Sequence, residues 1–241
     1  VRGTCGCGYS ELSQRGMVTT DCGVQSLPFS ENFDNPNATT AICQAFGTPQ
    51  ELVCGTGTTT EYLVPVNNLY NYTYSQALYS ASEVAPGVIT KIAYQYAYST
   101  AMTSKTNCTI YMGTTNKTTF ASTSDWVPLS ALTMVYTGSL NCSSGWNEFT
   151  LSTPYLYDGS GSLVVAVNDN SGTYDNSSYT FYSTSVSNSV LYCRQDGSAY
   201  NPASPATGTL YSNRANTRFN ITTQIDGLTA TTTPYTSTLK S

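Results

Sequence analysis

The sequence predicts an all-β protein, a β-sandwich of jelly-roll type, and three observations carry that prediction. Leu163-Val-Val-Ala-Val167 is the most concentrated apolar, β-branched run in the chain and reads as a strand buried on both faces. It breaks abruptly into Asn168-Asp-Asn-Ser-Gly172, residue types that close turns through side-chain-to-backbone bonds and tolerance of positive φ. Short alternating segments recur on either side, and no window sustains a helical period.

Residues 1–24 read as two short strands with glycine exits. Val1-Arg-Gly-Thr-Cys-Gly-Cys-Gly8 is the first, and Gly16-Met-Val-Thr-Thr-Asp-Cys-Gly23 is the second. Arg2, Cys5 and Gly6, with Thr19, Thr20, Cys22 and Gly23, resemble the closing hairpin of a fibronectin type III module of tandem surface proteins in Bacteroidetes. Two strands alone are marginal in water, so this partial immunoglobulin- or fibronectin-like hairpin needs something to dock on. Residues 25–226 form the predicted sandwich. It opens on Leu27-Pro-Phe-Ser-Glu-Asn-Phe-Asp34, where Phe29 and Phe33 share one face of a strand. Residues 35–59 read as loop, with one short helix near Ala41–Phe46.

Strands follow by alternation at Glu61–Val66, Leu69–Ser80, Val88–Ser99 and Asn107–Gly113. Others are expected at Thr133–Ser139, Trp146–Leu151, Leu163–Asn168, Ser178–Val186, Ser189–Cys193 and Arg218–Ile225. In the third, Val88, Ile92, Tyr94, Tyr96 and Tyr98 fall on one side, and Lys91, Ala93, Gln95 and Ala97 on the other. Residues 227–241 are Thr-rich, a tail by composition, though Leu228-Thr-Ala-Thr-Thr-Thr233 suits an edge strand.

Only 10% of the 241 residues are charged, the net charge is −5, and histidine is absent. The nine Lys and Arg are scattered, which excludes the clustered cationic footprint of a nucleic-acid binder. No apolar run approaches a membrane span, and no leader precedes the first residue, as in a processed or partial form of a secreted protein. The eight cysteines lack zinc-ribbon spacing and so point to disulfides in an oxidising compartment. Cys43 with Cys54, and Cys108 with Cys142, are the candidate pairs, although eight cysteines allow 105 pairings.

A wider resemblance rests on an ordered series of phrases. These are Ile110-Tyr-Met-Gly-Thr-Thr-Asn-Lys-Thr-Thr-Phe120, Trp126-Val-Pro-Leu129, Val135-Tyr-Thr-Gly138, Gly145-Trp-Asn-Glu-Phe149, Pro154-Tyr-Leu-Tyr-Asp-Gly159 and Leu163–Gly172. Together they resemble a cleaved-adhesin or MAM-like β-sandwich module of Bacteroidetes surface proteins. The resemblance implies an adhesive or scaffolding role, export by the type IX route, and no catalytic residues.

Without histidine, Ser-His triads and Cys-His dyads cannot be built, and no phosphate-binding glycine loop occurs. A glycosidase would need two carboxylates. Glu83 and Glu148 are the nearest candidates, but alternation opposite Phe149 makes Glu148 read as a solvated strand residue. Glu31, Asp34, Asp169 and Asp175 are the candidate ligands of a structural calcium ion, being hard oxygen donors at the first strand and at the turn after the central one. The same acids also serve as turn formers. Tyr94, Tyr96 and Tyr98 are the candidate glycan-stacking residues, with core packing as the alternative for such a row.

The function expected from all this is a non-catalytic extracellular or cell-surface module. Its two forms are a fibre or adhesin subunit self-associating through its termini by strand complementation, and a carbohydrate-binding module of a larger secreted enzyme. Its ligand would be a glycan or a host surface.

Overall fold

In the computed structural model, residues 3–5, 8–10 and 48–223 are described, and the chain divides into two compact units, residues 48–223 and the segments before and after them. Of the second unit the described part is a hairpin. Strand β1 (Gly3–Cys5) pairs antiparallel with β2 (Gly8–Ser10), with Thr4 opposite Tyr9. Strand β1 falls inside the stretch read as the first strand and its exit, and β2 begins at the last residue of that stretch, Gly8. The expected second strand, the opening phrase with Phe29 and Phe33, the short helix and the Thr-rich tail lie outside the described residues.

Residues 48–223 are built from antiparallel strands. They are β3 (Gln50–Cys54), β4 (Thr59–Glu61), β5 (Tyr72–Tyr79), β6 (Gly87–Tyr96), β7 (Cys108–Thr115) and β8 (Thr133–Gly138). The chain continues through β9 (Gly145–Tyr157), β10 (Ser162–Asp169), β11 (Phe181–Gln195), β12 (Thr209–Ala215) and β13 (Thr217–Thr223). Hydrogen bonding runs in the order β3-β13-β6-β11-β5-β10-β7-β8, with β9 on β6 and with β4 and β12 on β11.

Strand β11 turns the corner that makes this sheet a sandwich. Its first residue, Phe181, pairs with Tyr96 of β6, while Val190–Gln195 pair with Ala77–Tyr72 of β5. The register slips between Ser185 and Val190, where Asn188 takes a positive φ of 47°. The two strands expected at Ser178–Val186 and Ser189–Cys193 are therefore one long strand with an irregular middle.

Between the layers lies one core. Ile89, Ile92, Tyr94, Phe149 and Phe219 of one layer meet Tyr79, Ile110, Met112, Val165 and Val167 of the other. Strand β10 runs between β5 and β7, and every one of its residues is buried. Leu163, Val165 and Val167 face this core, and Val164 and Ala166 face clusters on the opposite side of the sheet. Each buried Leu or Val side chain of the strand contributes about 1.5–3 kcal/mol. The central strand thus has the two-sided burial that its composition predicts.

The alternation expected for β6 breaks at one point. Thr90 is an extra residue, since β13 and β9 both shift register between Ile89 and Lys91. That bulge turns Ile89 into the core with Ile92, Tyr94 and Tyr96, and turns Val88 out.

Burial governs the cysteine chemistry. Cys54, Cys108, Cys142 and Cys193 are all buried free thiols, so the expected Cys108–Cys142 bond is not formed. The Cys108 sulfur faces the Lys105 carbonyl and the Asp169 carboxylate, whereas the Cys142 sulfur faces the Leu140 carbonyl. Cys54 is likewise unbonded and donates to the Glu83 carbonyl, and its expected partner Cys43 lies outside the described residues. Burial pushes the thiols of Cys54 and Cys142 and the hydroxyls of Tyr74 and Tyr79 up to about 12. These groups stay neutral in the fold and ionise at lower pH in the unfolded chain. Their stabilisation is therefore complete below about pH 9 and is lost as pH rises toward their folded values. We expect residue-resolved alkylation to leave these four cysteines unmodified at neutral pH and urea midpoints to fall above about pH 9. Rapid native alkylation of Cys142 would contradict this.

Candidate functional site

The outer face of β5-β10-β7 is covered by two loops, residues 116–132 and 196–208. The first is anchored by Phe120 and Val127, which pack on Leu78, Val164 and Leu191. Gly113 of β7 lets it lie close, because a Cβ there would fall 2.5 Å from the Ala131 carbonyl oxygen. Gln76 of β5, wholly buried, acts as a substitute backbone. Its Oε1 accepts the Val127 N–H at 2.8 Å, and its Nε2 donates to the Val127 carbonyl at 2.8 Å and to the Tyr74 hydroxyl at 2.9 Å. Asp125 braces the same loop. It accepts the Ala121 N–H and the Lys117 ammonium, which hold its carboxyl below the usual range.

These anchors fix Trp126 against Tyr74, ring centroids 5.1 Å apart and tilted by 35°. The indole Nε1 donates across to the Ala206 carbonyl at 3.0 Å, and the Gly208 N–H donates back to the Thr123 carbonyl at 2.7 Å. Glycine at 208 is required by the indole, since a Cβ there would fall 2.8 Å from Trp126 Cζ2. Between the tied loops runs a groove of about 330 Å³ lined by Ser124, Trp126, Pro128, Pro202, Ser204 and Thr207, together with neighbouring backbone. An aromatic ring, hydroxyls and proline-stiffened rims make it a neutral surface of mixed polarity, and none of its lining residues carries a charge.

The tyrosines expected to stack glycans are elsewhere. Tyr94 and Tyr96 are 3% and 0% exposed and pack on Phe181 in the core, and Tyr98 is half-buried against Tyr179. The inner face of β6 is apolar throughout, which claims those rings for packing. The acids expected to bind calcium are also engaged. The Asp169 carboxylate lies 2.9 Å from the Lys105 ammonium, with both side chains wholly buried, and Asp175 accepts the Ser104 hydroxyl. Glu31 and Asp34 lie outside the described residues, and among the described residues no three acids, cysteines or histidines cluster as metal ligands. Glu148 is paired with Lys91 at 2.7 Å, and Glu83 with Arg214.

In the sequence Trp126-Val-Pro-Leu129 stands only as one phrase of a resemblance, and Pro202-Ala-Ser-Pro205 carries no expectation. A tryptophan beside proline, opposed by a second proline-rich loop, was the available signal. Nothing local reveals that the two loops meet.

No protein-family model matches the chain, and no curated protein matches it. Among solved structures, the chain is similar to the cysteine protease and lectin-like domains of Cwp84, a surface layer associated protein of Clostridium difficile, at 10% identity and a TM-score of 0.37. That match covers 64% of this chain and 32% of the other. The clostridial Cwp84 protease after propeptide cleavage gives 10% identity and a TM-score of 0.41, covering 72% and 40%. The chain thus spans well under half of either structure, and likenesses this weak say nothing about activity or ligand.

Proposed function

We propose that this chain is a non-catalytic adhesive module of an extracellular or cell-surface protein, and that it holds a neutral glycan in the groove beside Trp126. The observation that supports this reading is the character of that groove: tryptophan, serine and threonine side chains between proline-stiffened rims, with no charged lining residue. Such a surface matches the alternating apolar faces and hydroxyl edges of a neutral sugar and repels none of them. Glu83 and Glu148, the carboxylates nearest to a catalytic role by sequence, are each tied to a cation.

The experiment is binding to an array of neutral glycans by the wild type, Trp126→Ala and Ser204→Trp. Ser204 is exposed on the rim, so the second variant fills the groove without disturbing the sheet. We expect binding by the wild type and a loss of about 30-fold in each variant, the size expected for an aromatic anchor. Undiminished binding by both variants would remove the groove from the reading. Tyr96→Ala, by contrast, is expected to unfold the protein rather than unseat a ligand.

A second reading, a fibre subunit built by strand complementation, is favoured by β3. Among the described residues it pairs only with β13, on one edge, and Val53 on it is 45% exposed. Light scattering and electron microscopy separate the two readings, since a fibre subunit self-associates without any glycan.

A further inference from the structure

The turn after β10 holds a buried charge that the groove does not use. Lys105, in the loop before β7, has no solvent exposure. Its Nζ donates to the carbonyls of Asn67, Tyr70 and Thr173 at 3.1, 3.2 and 3.0 Å, and the Asp169 Oδ2 stands 2.9 Å away. An ammonium has three N–H groups. Here they are matched to three carbonyls, and Oδ2 lacks an aligned donor. With Oδ2 added, four oxygens surround the nitrogen, one more than its N–H groups serve, which is the arrangement of a shell around a bound cation.

The oxygens come from two separate turns, residues 67–70 ahead of β5 and residues 169–173 after β10. Backbone bonds hold those turns in place around the charge. The Gly172 N–H donates to the Asn71 carbonyl, the Asp175 N–H to the Asn68 carbonyl, and the Ser171 N–H to Asp169 Oδ1. The cage is thus braced from outside and filled from within.

We propose that this turn cluster is a cation site whose resident ion is the tethered ammonium of Lys105, and that it takes up a free monovalent cation of ammonium size, K⁺ or NH₄⁺, once that side chain is shortened. Charge and size both select this class. One carboxylate balances one positive charge, and oxygen distances of 2.9–3.2 Å suit a large monovalent ion. Calcium takes 6–8 oxygens at about 2.3–2.6 Å, more and closer than the cage offers. The native protein therefore carries its own cation and needs none from the medium.

The test compares thermal midpoints of the wild type, Lys105→Ala and the double variant Lys105→Ala/Asp169→Asn. Each is measured in KCl, NH₄Cl, CaCl₂ and choline chloride at matched ionic strength, with choline too large for the cage. We expect Lys105→Ala to melt about 4 °C higher in KCl or NH₄Cl than in choline chloride. The wild type and the double variant are expected to melt alike in all four salts. Equal midpoints for Lys105→Ala in every salt would overturn the proposal, as would a larger rise in CaCl₂ or the same rise in the wild type. Should Lys105→Ala fail to fold in any salt while the double variant folds, the cage does not accept a free ion and the proposal also falls.

Discussion

Replacing Asp169 by alanine is expected to destabilise the protein by about 3–5 kcal/mol, because the Lys105 ammonium would be left buried without its counter-charge. Neither partner has any exposed side-chain surface, so water cannot take over at the native geometry. Asp169 ends β10, the strand at the centre of the sheet, and its other oxygen accepts the Ser171 N–H that starts the following turn. The variant should therefore also loosen the turn that meets the loop before β7, where the Asn170 N–H donates to the Asn107 carbonyl. Urea unfolding gives the magnitude, and hydrogen exchange at Asn107 and Asn170 gives the location. A loss under about 1 kcal/mol, the size expected of a solvated pair, would show that this end of the sandwich is wet.

The second large effect is an asymmetry. Arg214 is buried at 1% side-chain exposure, with its guanidinium over the Tyr79 ring at 4.2 Å and in contact with the Glu83 carboxylate, which is 33% exposed. Glu83→Ala leaves a buried cation without a counter-charge and is expected to cost about 3–5 kcal/mol. Arg214→Met leaves a carboxylate that water can reach and keeps most of the apolar volume, so about 1–2 kcal/mol is expected. Denaturant unfolding of the two variants decides it, and equal costs would contradict the difference in burial. The pair also sets an acid limit. Burial opposes the charge on Glu83, but Arg214 and the Ser80 N–H and hydroxyl outweigh it and hold the carboxyl below its ordinary 4.5. A depressed folded value means that the pair's contribution is present above the unfolded value and is lost as pH falls through the folded one.

Much of this architecture was legible in the sequence because it rests on short-range pattern. Leu163–Val167 announced a strand buried on both faces, and the Asn168–Gly172 turn announced its end. What was missed depends on distance. Strand β3, inside a stretch read as loop, exists because β13 pairs with it, and β12 exists because β11 does. The Thr90 bulge turns Ile89 inward in place of Val88 while Ile92, Tyr94 and Tyr96 stay on the expected side, and no alternation count detects an extra residue. The tyrosine row of β6 could be read as core or as ligand platform, and which it is depends on the layer above it.

The acids illustrate the same point. Asp169 was singled out as a calcium ligand, but the cation beside it is a lysine 64 residues earlier in the chain, brought to it by the pairing of β7 with β10. The groove lay further out of reach, since Trp126 and Pro205 come from loops whose meeting depends on Gln76 of β5 and on where the sheet brings Phe120 and Gly208, which no local pattern shows.

The most direct measurement is an NMR titration of the isotope-labelled protein with the neutral oligosaccharide that the array identifies. The account predicts movement of the Trp126 indole resonance and of the amides of Ala203, Ser204, Ala206 and Thr207, with no new reducing-end signals from the sugar however long the sample stands. An unmoved Trp126 indole, or new reducing-end signals from a cleaved sugar, would contradict it.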